Sequence, residues 1–220
     1  MADAKSAILA RIRRNLHVGA DDHARQQAVN ERIKQHARGI IPERGKGGLE
    51  TFRKMAAELD ASSEILQHES QLPEAIARYL RAHNQPLRLR HGEAEIFAGL
   101  AGEALEIKKG KAEPSDTTGL SYAIAGVAET GTLLLISGPD NPTSLNFLPE
   151  NHLVVLRASH IVASYEDALD MARAKGPLPR TLNFITGPSR TADVEQTIEL
   201  GAHGPRRLHI LIIQDGKDTL

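Results

Sequence analysis

The sequence predicts an α/β domain, with a mostly parallel sheet between helices, preceded by an N-terminal helical arm. Three observations carry this expectation. From residue 49 onward, short apolar runs alternate with stretches of helical period, which is the order of strand–helix–strand units. Two late runs, "TLNFITG" (181–187) and "RLHILIIQ" (207–214), are apolar enough to be buried strands. Ahead of them the chain is polar and helical up to "PERGKGG" (42–48), whose glycines and proline mark a break. Residues 1–44 are therefore read as the arm and 45–220 as the α/β domain.

The elements follow in order. In the arm, Ile8, Leu9, Ile12 and Leu16 make a narrow apolar stripe, with Lys5, Arg11, Arg13 and Arg14 around it, so residues 5–16 read as an amphipathic helix. Residues 21–39 are more polar, with Val29 and Ile33 their best apolar pair one turn apart. Such a basic amphipathic helix suits a membrane surface or a partner; the plainer expectation is an arm folded over its own domain or a dimer mate, which makes a homodimer one expectation. Residues 49–59 read as helix and 63–67 as strand. Pro73 opens a helix over 72–83 that puts Leu72, Ile76, Tyr79 and Leu80 on one face. Strand (86–90), short helix (93–102) and strand (104–110) come next. The apolar runs 122–128 and 132–137 meet at "ETG", where Gly131 permits a tight turn, giving a hairpin with Glu129 at its tip or shoulder. Residues 152–164 are a strand pair or a bent strand. They end at Ser164, whose spacing to Asp167 is a capping-box start for a helix over 165–176. A further helix is expected between the strands 181–187 and 207–214, stopped by Gly201.

Composition excludes several classes of function. The chain has 220 residues and a net charge of −1, so no global field draws in nucleic acid or acidic membranes. Three Tyr, four Phe and no Trp leave little for stacking on bases. No cysteine is present, which excludes disulfides, thiol nucleophiles and thiolate-held zinc or iron–sulfur clusters in this chain. No run approaches ~18 apolar residues, so membrane insertion is not expected and the location expected is the cytoplasm. No His-x-x-x-His or Glu-x-x-His spacing occurs, and no metal site is expected.

Two loops look alike. "LLLISGPDNPTSLN" (133–146) and "LNFITGPSRTADVE" (182–195) each run from an apolar strand through Gly-Pro into a polar loop. Leaving the same sheet edge, they would face one crevice at the carboxyl ends of the strands, with Asn141 from the first loop. In the second, a helix beginning after Gly187 would offer free N–H groups and its positive end, with Ser189 or Thr191 as cap and Arg190 as a full charge. That combination suits a carboxylate or a phosphate. The plainer alternative is that Ser189 and Thr191 only cap, and that Asp193 and Glu195 merely favour the first turn. His203 in "GAHGP" is either an acid–base group or a positive cap on the helix end.

"AETGT" (128–132), "GPSRTADVEQTIELGAHGP" (187–205) and the closing apolar strand resemble the LUD domain of lactate-utilisation proteins, of the LutC type. The resemblance covers roughly residues 45–215. It implies the fold shared by CoA transferases, ribose-5-phosphate isomerase and glucosamine-6-phosphate deaminase. It also implies a part in oxidising L-lactate to pyruvate beside iron–sulfur partner proteins, which would carry the clusters, with no cofactor in this chain. Glu129-Thr130-Gly131 is similar to the Glu-x-Gly motif of family I CoA transferases, where the glutamate attacks a thioester. That similarity implies Gly131 and Thr132 N–H groups as oxyanion donors, although no CoA-binding sequence accompanies it. Three readings follow. The first is a non-redox component of lactate oxidation with an anion-binding crevice, Arg190 holding the carboxylate. The second is an independent acyl-CoA or sugar-phosphate enzyme using Glu129. The third is a non-catalytic ligand-binding scaffold whose arm makes the contacts.

Overall fold

The computed structural model describes residues 3–214 apart from 20, 37, 41–42, 102–104 and 193–197. It divides into two compact units, Met1–Ile40 and Ile41–Leu220. The first holds α1 (Ala4–Asn15), capped where the Asp3 carboxylate accepts from Lys5 N–H, and α2 (His23–Gln35), capped likewise by Asp22 onto Arg25. Neither helix buries a residue, and Ile8, Ile12, Leu16 and Ile33 stay exposed.

The second unit opens with α3 (Gly48–Glu58), β1 (Ser62–Leu66), α4 (Leu72–Ala82), β2 (Arg88–His91) and β3 (Glu106–Lys109). Then come β4 (Thr118–Tyr122), β5 (Ala125–Val127), β6 (Thr132–Ile136), the single helical turn α5 (Ser144–Phe147) and β7 (Asn151–Arg157). The rest is β8 (Ile161–Val162), α6 (Tyr165–Ala174), β9 (Leu182–Ile185), β10 (Arg190–Ala192), β11 (Ile198–Leu200) and β12 (Arg207–Ile213).

Six strands form one parallel sheet in the order β1-β12-β7-β4-β2-β3. β7 and β12 lie inside it and are apolar on both faces, as strands covered from two sides must be. Leu153, Val155, Leu211 and Ile213 face α4, joining Ile76, Leu80 and Phe97. Their alternates Val154, Leu156, Ile210 and Ile212 face the other way, onto Phe52 and Ala56 of α3 and Leu133 and Leu135 of β6. Fully burying each such side chain stabilises the fold by roughly 1.5–3 kcal/mol before chain entropy is set against it.

A second sheet, in the order β8-β5-β6-β9, lies over that face together with α3. Its outer side packs Val127 and Leu134 on Ala168 and Ala172 of α6. The fold is therefore α/β with a mainly parallel central sheet, but one flank is a mixed sheet where the sequence reads as helix cover alone. β5 and β6 form the expected hairpin. The Ser164–Asp167 capping box is present at the start of α6. The short helix expected over 93–102 is a single turn at Glu95–Phe97 among the described residues.

The stretch 187–205 departs most from expectation. Residues 190–192 and 198–200 are not helical; they are β10 and β11, paired antiparallel with Arg190 opposite Leu200 and Thr191 opposite Glu199. Asp193 and Glu195 lie outside the described residues.

Candidate functional site

In the parallel sheet, β2 to β3 builds outward while β4, β7 and β12 are laid down in the opposite direction. That reversal opens a crevice at the carboxyl ends of β2 and β4, where open α/β sheets hold ligands. A cavity of about 620 Å³ sits there. Tyr122 and Arg157, the last residues of β4 and β7, line it, with Glu69 after β1, Glu95 after β2, the 136–141 loop after β6, and Lys175 beyond α6. Arg157 pairs with Glu69. The Tyr122 hydroxyl lies 3.2 Å from His160 Nδ1.

Asn141 is the sequence-chosen residue found here. It is 2% exposed, its Nδ2 donates to Ile136 O at 3.4 Å, and its Oδ1 is buried with no hydrogen-bond partner among the described residues. A buried amide oxygen left unpaired is costly, so a ligand hydroxyl or amine that donates to it would be selected.

Three other sequence-chosen residues, Gly187, Ser189 and His203, lie at the opposite end of the strands. A smaller cavity, about 220 Å³, is lined by Gly187, Ser189 and His203, with Asn146, Phe147, His152, Phe184, Thr186 and Leu208 among its walls. Gly187 adopts φ +76°, and a Cβ there would come within 2.5 Å of Leu59 O, so the loop lies directly on the end of α3. Ser189 N–H donates to Pro205 O at 2.8 Å, closing the two Gly-Pro segments on one another. Thr132 Oγ1 links this region to the hairpin turn, 2.7 Å from Thr186 Oγ1 and 2.8 Å from both Thr130 Oγ1 and the Tyr165 hydroxyl.

The expected single crevice is thus two cavities at opposite strand ends, because β6 and β9 pair antiparallel and the loops that follow them leave from opposite ends of their sheet. Its anion-binding argument also fails at 187–205. Among the described residues no helix follows Gly187 before Gly201, and Thr191 lies on β10. Arg190 pairs with Asp60 rather than facing either cavity. His203 cannot cap a helix end that is a strand, and it stands exposed at the smaller cavity.

Glu129 lies in the β5–β6 turn, 6% exposed, with one carboxylate oxygen buried and unpartnered. It lines neither cavity. Gly131 N–H, expected as an oxyanion donor, donates to Val127 O at 2.9 Å and is not free to act as one.

Sequence reasoning missed Tyr122, Arg157 and Lys175 at the larger cavity, and a buried trio at the smaller one. In that trio His152 Nε2 lies 3.0 Å from Ser121 Oγ, which lies 3.0 Å from Asn146 Oδ1. Burial pushes His152 down to about 3 from its ordinary 6.5, so the ring is neutral. A signal for it existed: "NHLVVLR" (151–157) starts an otherwise apolar central strand with two polar side chains.

A family model described as the LUD domain matches residues 26–213. Lactate utilization protein C of Halalkalibacterium halodurans is 33% identical over 131 residues, covering 58% of this chain and 55% of that protein. Lactate utilization protein C of Bacillus subtilis is 34% identical over 109 residues, 48% of this chain and 45% of that one. The chain spans about half the length of the curated relatives it matches. A crystal structure of a DUF162 family protein from Deinococcus radiodurans superposes with a TM-score of 0.61 at 24% identity, covering 78% of this chain and 99% of that one, which shows the same fold.

Proposed function

We propose, from the premise that this chain belongs to the LUD domain family, that it is the non-redox, substrate-binding component of a system oxidising L-lactate to pyruvate. The carboxyl-end cavity is its site. The observation that carries the reading is the unpartnered Asn141 Oδ1, on a residue lining a cavity that also holds Lys175 and the Glu69-paired Arg157, beside Glu95 and Asp140. A 2-hydroxy acid fits that donor set. Its carboxylate takes Lys175, charge-assisted bonds being the stronger kind, and its hydroxyl donates to Asn141. Pyruvate keeps the carboxylate but has a carbonyl where lactate has a donor, so it leaves Asn141 unsatisfied. Electrons would pass to iron–sulfur partner proteins, a reading with which the absence of cysteine in this chain is consistent. The cavity is larger than lactate needs, and a partner docked at its mouth would close the remainder.

Thermal unfolding against L-lactate and pyruvate tests the site. Ligand at ~100 times its dissociation constant adds roughly 2.7 kcal/mol. A larger shift with lactate than pyruvate, reduced in Lys175→Ala and evened out in Asn141→Leu, is the expected outcome. Equal shifts, or the same preference in Asn141→Leu, would remove the assignment of the hydroxyl to Asn141. At the level of the cell, deleting the gene is expected to abolish growth on lactate and spare growth on pyruvate; normal lactate growth overturns the role itself.

A further inference from the structure

The smaller cavity at the amino ends of the strands has a donor set of a different kind. Ser121, Asn146 and His152 are each at most 1% exposed and form one chain, Asn146 to Ser121 to His152. The serine has one hydroxyl proton to give. If it donates to the Asn146 oxygen, it accepts from His152 Nε2–H, which leaves His152 Nδ1 a lone pair and the Asn146 NH₂ group two hydrogens. If the asparagine amide is turned over, every bond reverses, and His152 Nδ1–H becomes the donor while the amide oxygen becomes the acceptor. In both registers the two ends of the chain present one donor and one acceptor. Both ends are buried without a partner among the described residues, His152 at Nδ1 and Asn146 at Nδ2, and both residues line the same cavity.

The walls around them are apolar: Phe147, Phe184, Ile185 and Leu208, with Pro188 and Pro205. Among the described residues no Lys or Arg lines the cavity, and His203, which does, is exposed. Burial holds His152 neutral. A carboxylate, which only accepts, would satisfy one end and leave the other unmatched. The volume, about 220 Å³, falls below the ~300–1,000 Å³ of drug-sized sites, so the occupant is small.

We propose that this cavity is a second ligand site that takes a small uncharged molecule bearing a primary carboxamide on a compact apolar body, its C=O and N–H₂ satisfying the two ends of the Asn146–Ser121–His152 chain. The site is separate from the lactate reading, since it shares no residue with the larger cavity.

Benzamide and nicotinamide are the probes, with benzoate as the charged control of the same shape, titrated into the full chain and followed by calorimetry and by the ¹⁵N signals of the His152 ring. Saturable amide binding, at least about tenfold tighter than benzoate and accompanied by movement of the Nδ1 signal, is the expected result. Ser121→Ala breaks the chain in its middle and is expected to erase the amide preference. Ser189→Leu adds bulk at another lining residue, outside the hydrogen-bonded chain, and is expected to abolish binding in a protein that unfolds normally. Equal binding of benzoate and benzamide, a His152 signal unmoved at saturation, or no saturable binding of either amide to the wild type would each overturn the proposal. Asn141→Leu leaves amide binding unchanged, so the two sites fail or stand independently.

Discussion

Gly131 supports the turn that carries Glu129 in two ways at once. It holds φ +66°, and a Cβ there would sit 2.3 Å from the backbone nitrogen of Ala56 in α3. Backbone cannot yield as a flexible side chain can, so Gly131→Ala is expected to cost at least about 2 kcal/mol in urea unfolding. A loss under about 0.5 kcal/mol would mean that α3 is not seated against the turn. Buried histidines contribute to the acid limit, among them His91, whose pKa burial lowers. His152 falls to about 3 by desolvation, and His209 falls to about 4, mainly by desolvation and then by His83 and Arg78. His209 is also stacked on Tyr79 at 4.1 Å, with Nδ1 2.8 Å from Ser62 Oγ. Both pKa values are depressed, so below 6.5 the unfolded chain binds protons that the folded chain refuses. The stability these groups contribute is complete above pH 6.5 and drains away down to about pH 4 for His209 and about pH 3 for His152. The slope approaches about 1.4 kcal/mol per pH unit for each. Urea titrations from pH 7 to 4.5 are expected to show this fall, and His209→Phe, which keeps a ring on Tyr79, to remove one proton's share of it. An unchanged slope would mean that His209 is charged in the folded protein. Neither histidine's neutrality was legible in sequence, because it depends on which strands surround β7 and β12.

At the scale of elements, sequence reading succeeded where hydrophobic period and caps agreed. α4 has its proline in the first turn and one apolar face. α6 has its capping box, and β12 its unbroken apolar run. The 187–205 error came from punctuation without period. Gly-Pro followed by Ser and Thr imitates a helix start, yet only Val194 and Ile198 make an apolar pair at helical spacing, and the β-branched Thr191 and Ile198 suit strands equally. β4 escaped notice because Thr118, Gly119 and Ser121 break any apolar run, although it lies between β7 and β2 in the sheet. The chemistry follows from the correction. Arg190 and Asp60 form an ion pair near the surface, at side-chain exposures of 36% and 67%. Arg190→Ala is therefore expected to change the unfolding free energy by less than about 1 kcal/mol and to leave the lactate shift intact. Loss of that shift with stability preserved would return the carboxylate to Arg190.

For the whole molecule, the α/β class and the family were legible because long apolar runs and one contiguous motif survive without knowledge of contacts. The site was legible only as residue types: Asn141 and Ser189 were both chosen, but the opposite ends of the sheet to which they go are a property of the complete topology. The arm is a unit by itself, with no buried residue in α1 or α2. Removing residues 1–40 is expected to leave the melting temperature of the remainder within about 2 °C, the scale set by ~1 kcal/mol in a domain of this size. A larger fall would show that the α/β body depends on the arm. The strand order carries a consequence for biosynthesis. Among the described strands β1 pairs only with β12, and Ser62 and His209 stand 147 residues apart. While the ribosome is still making the intervening chain, β1 has no neighbour, and β7 exposes the edge that β12 will later fill. Contacts this distant in sequence slow folding. The newly made polypeptide must therefore hold β1 and one edge of β7 unpaired until β12 emerges.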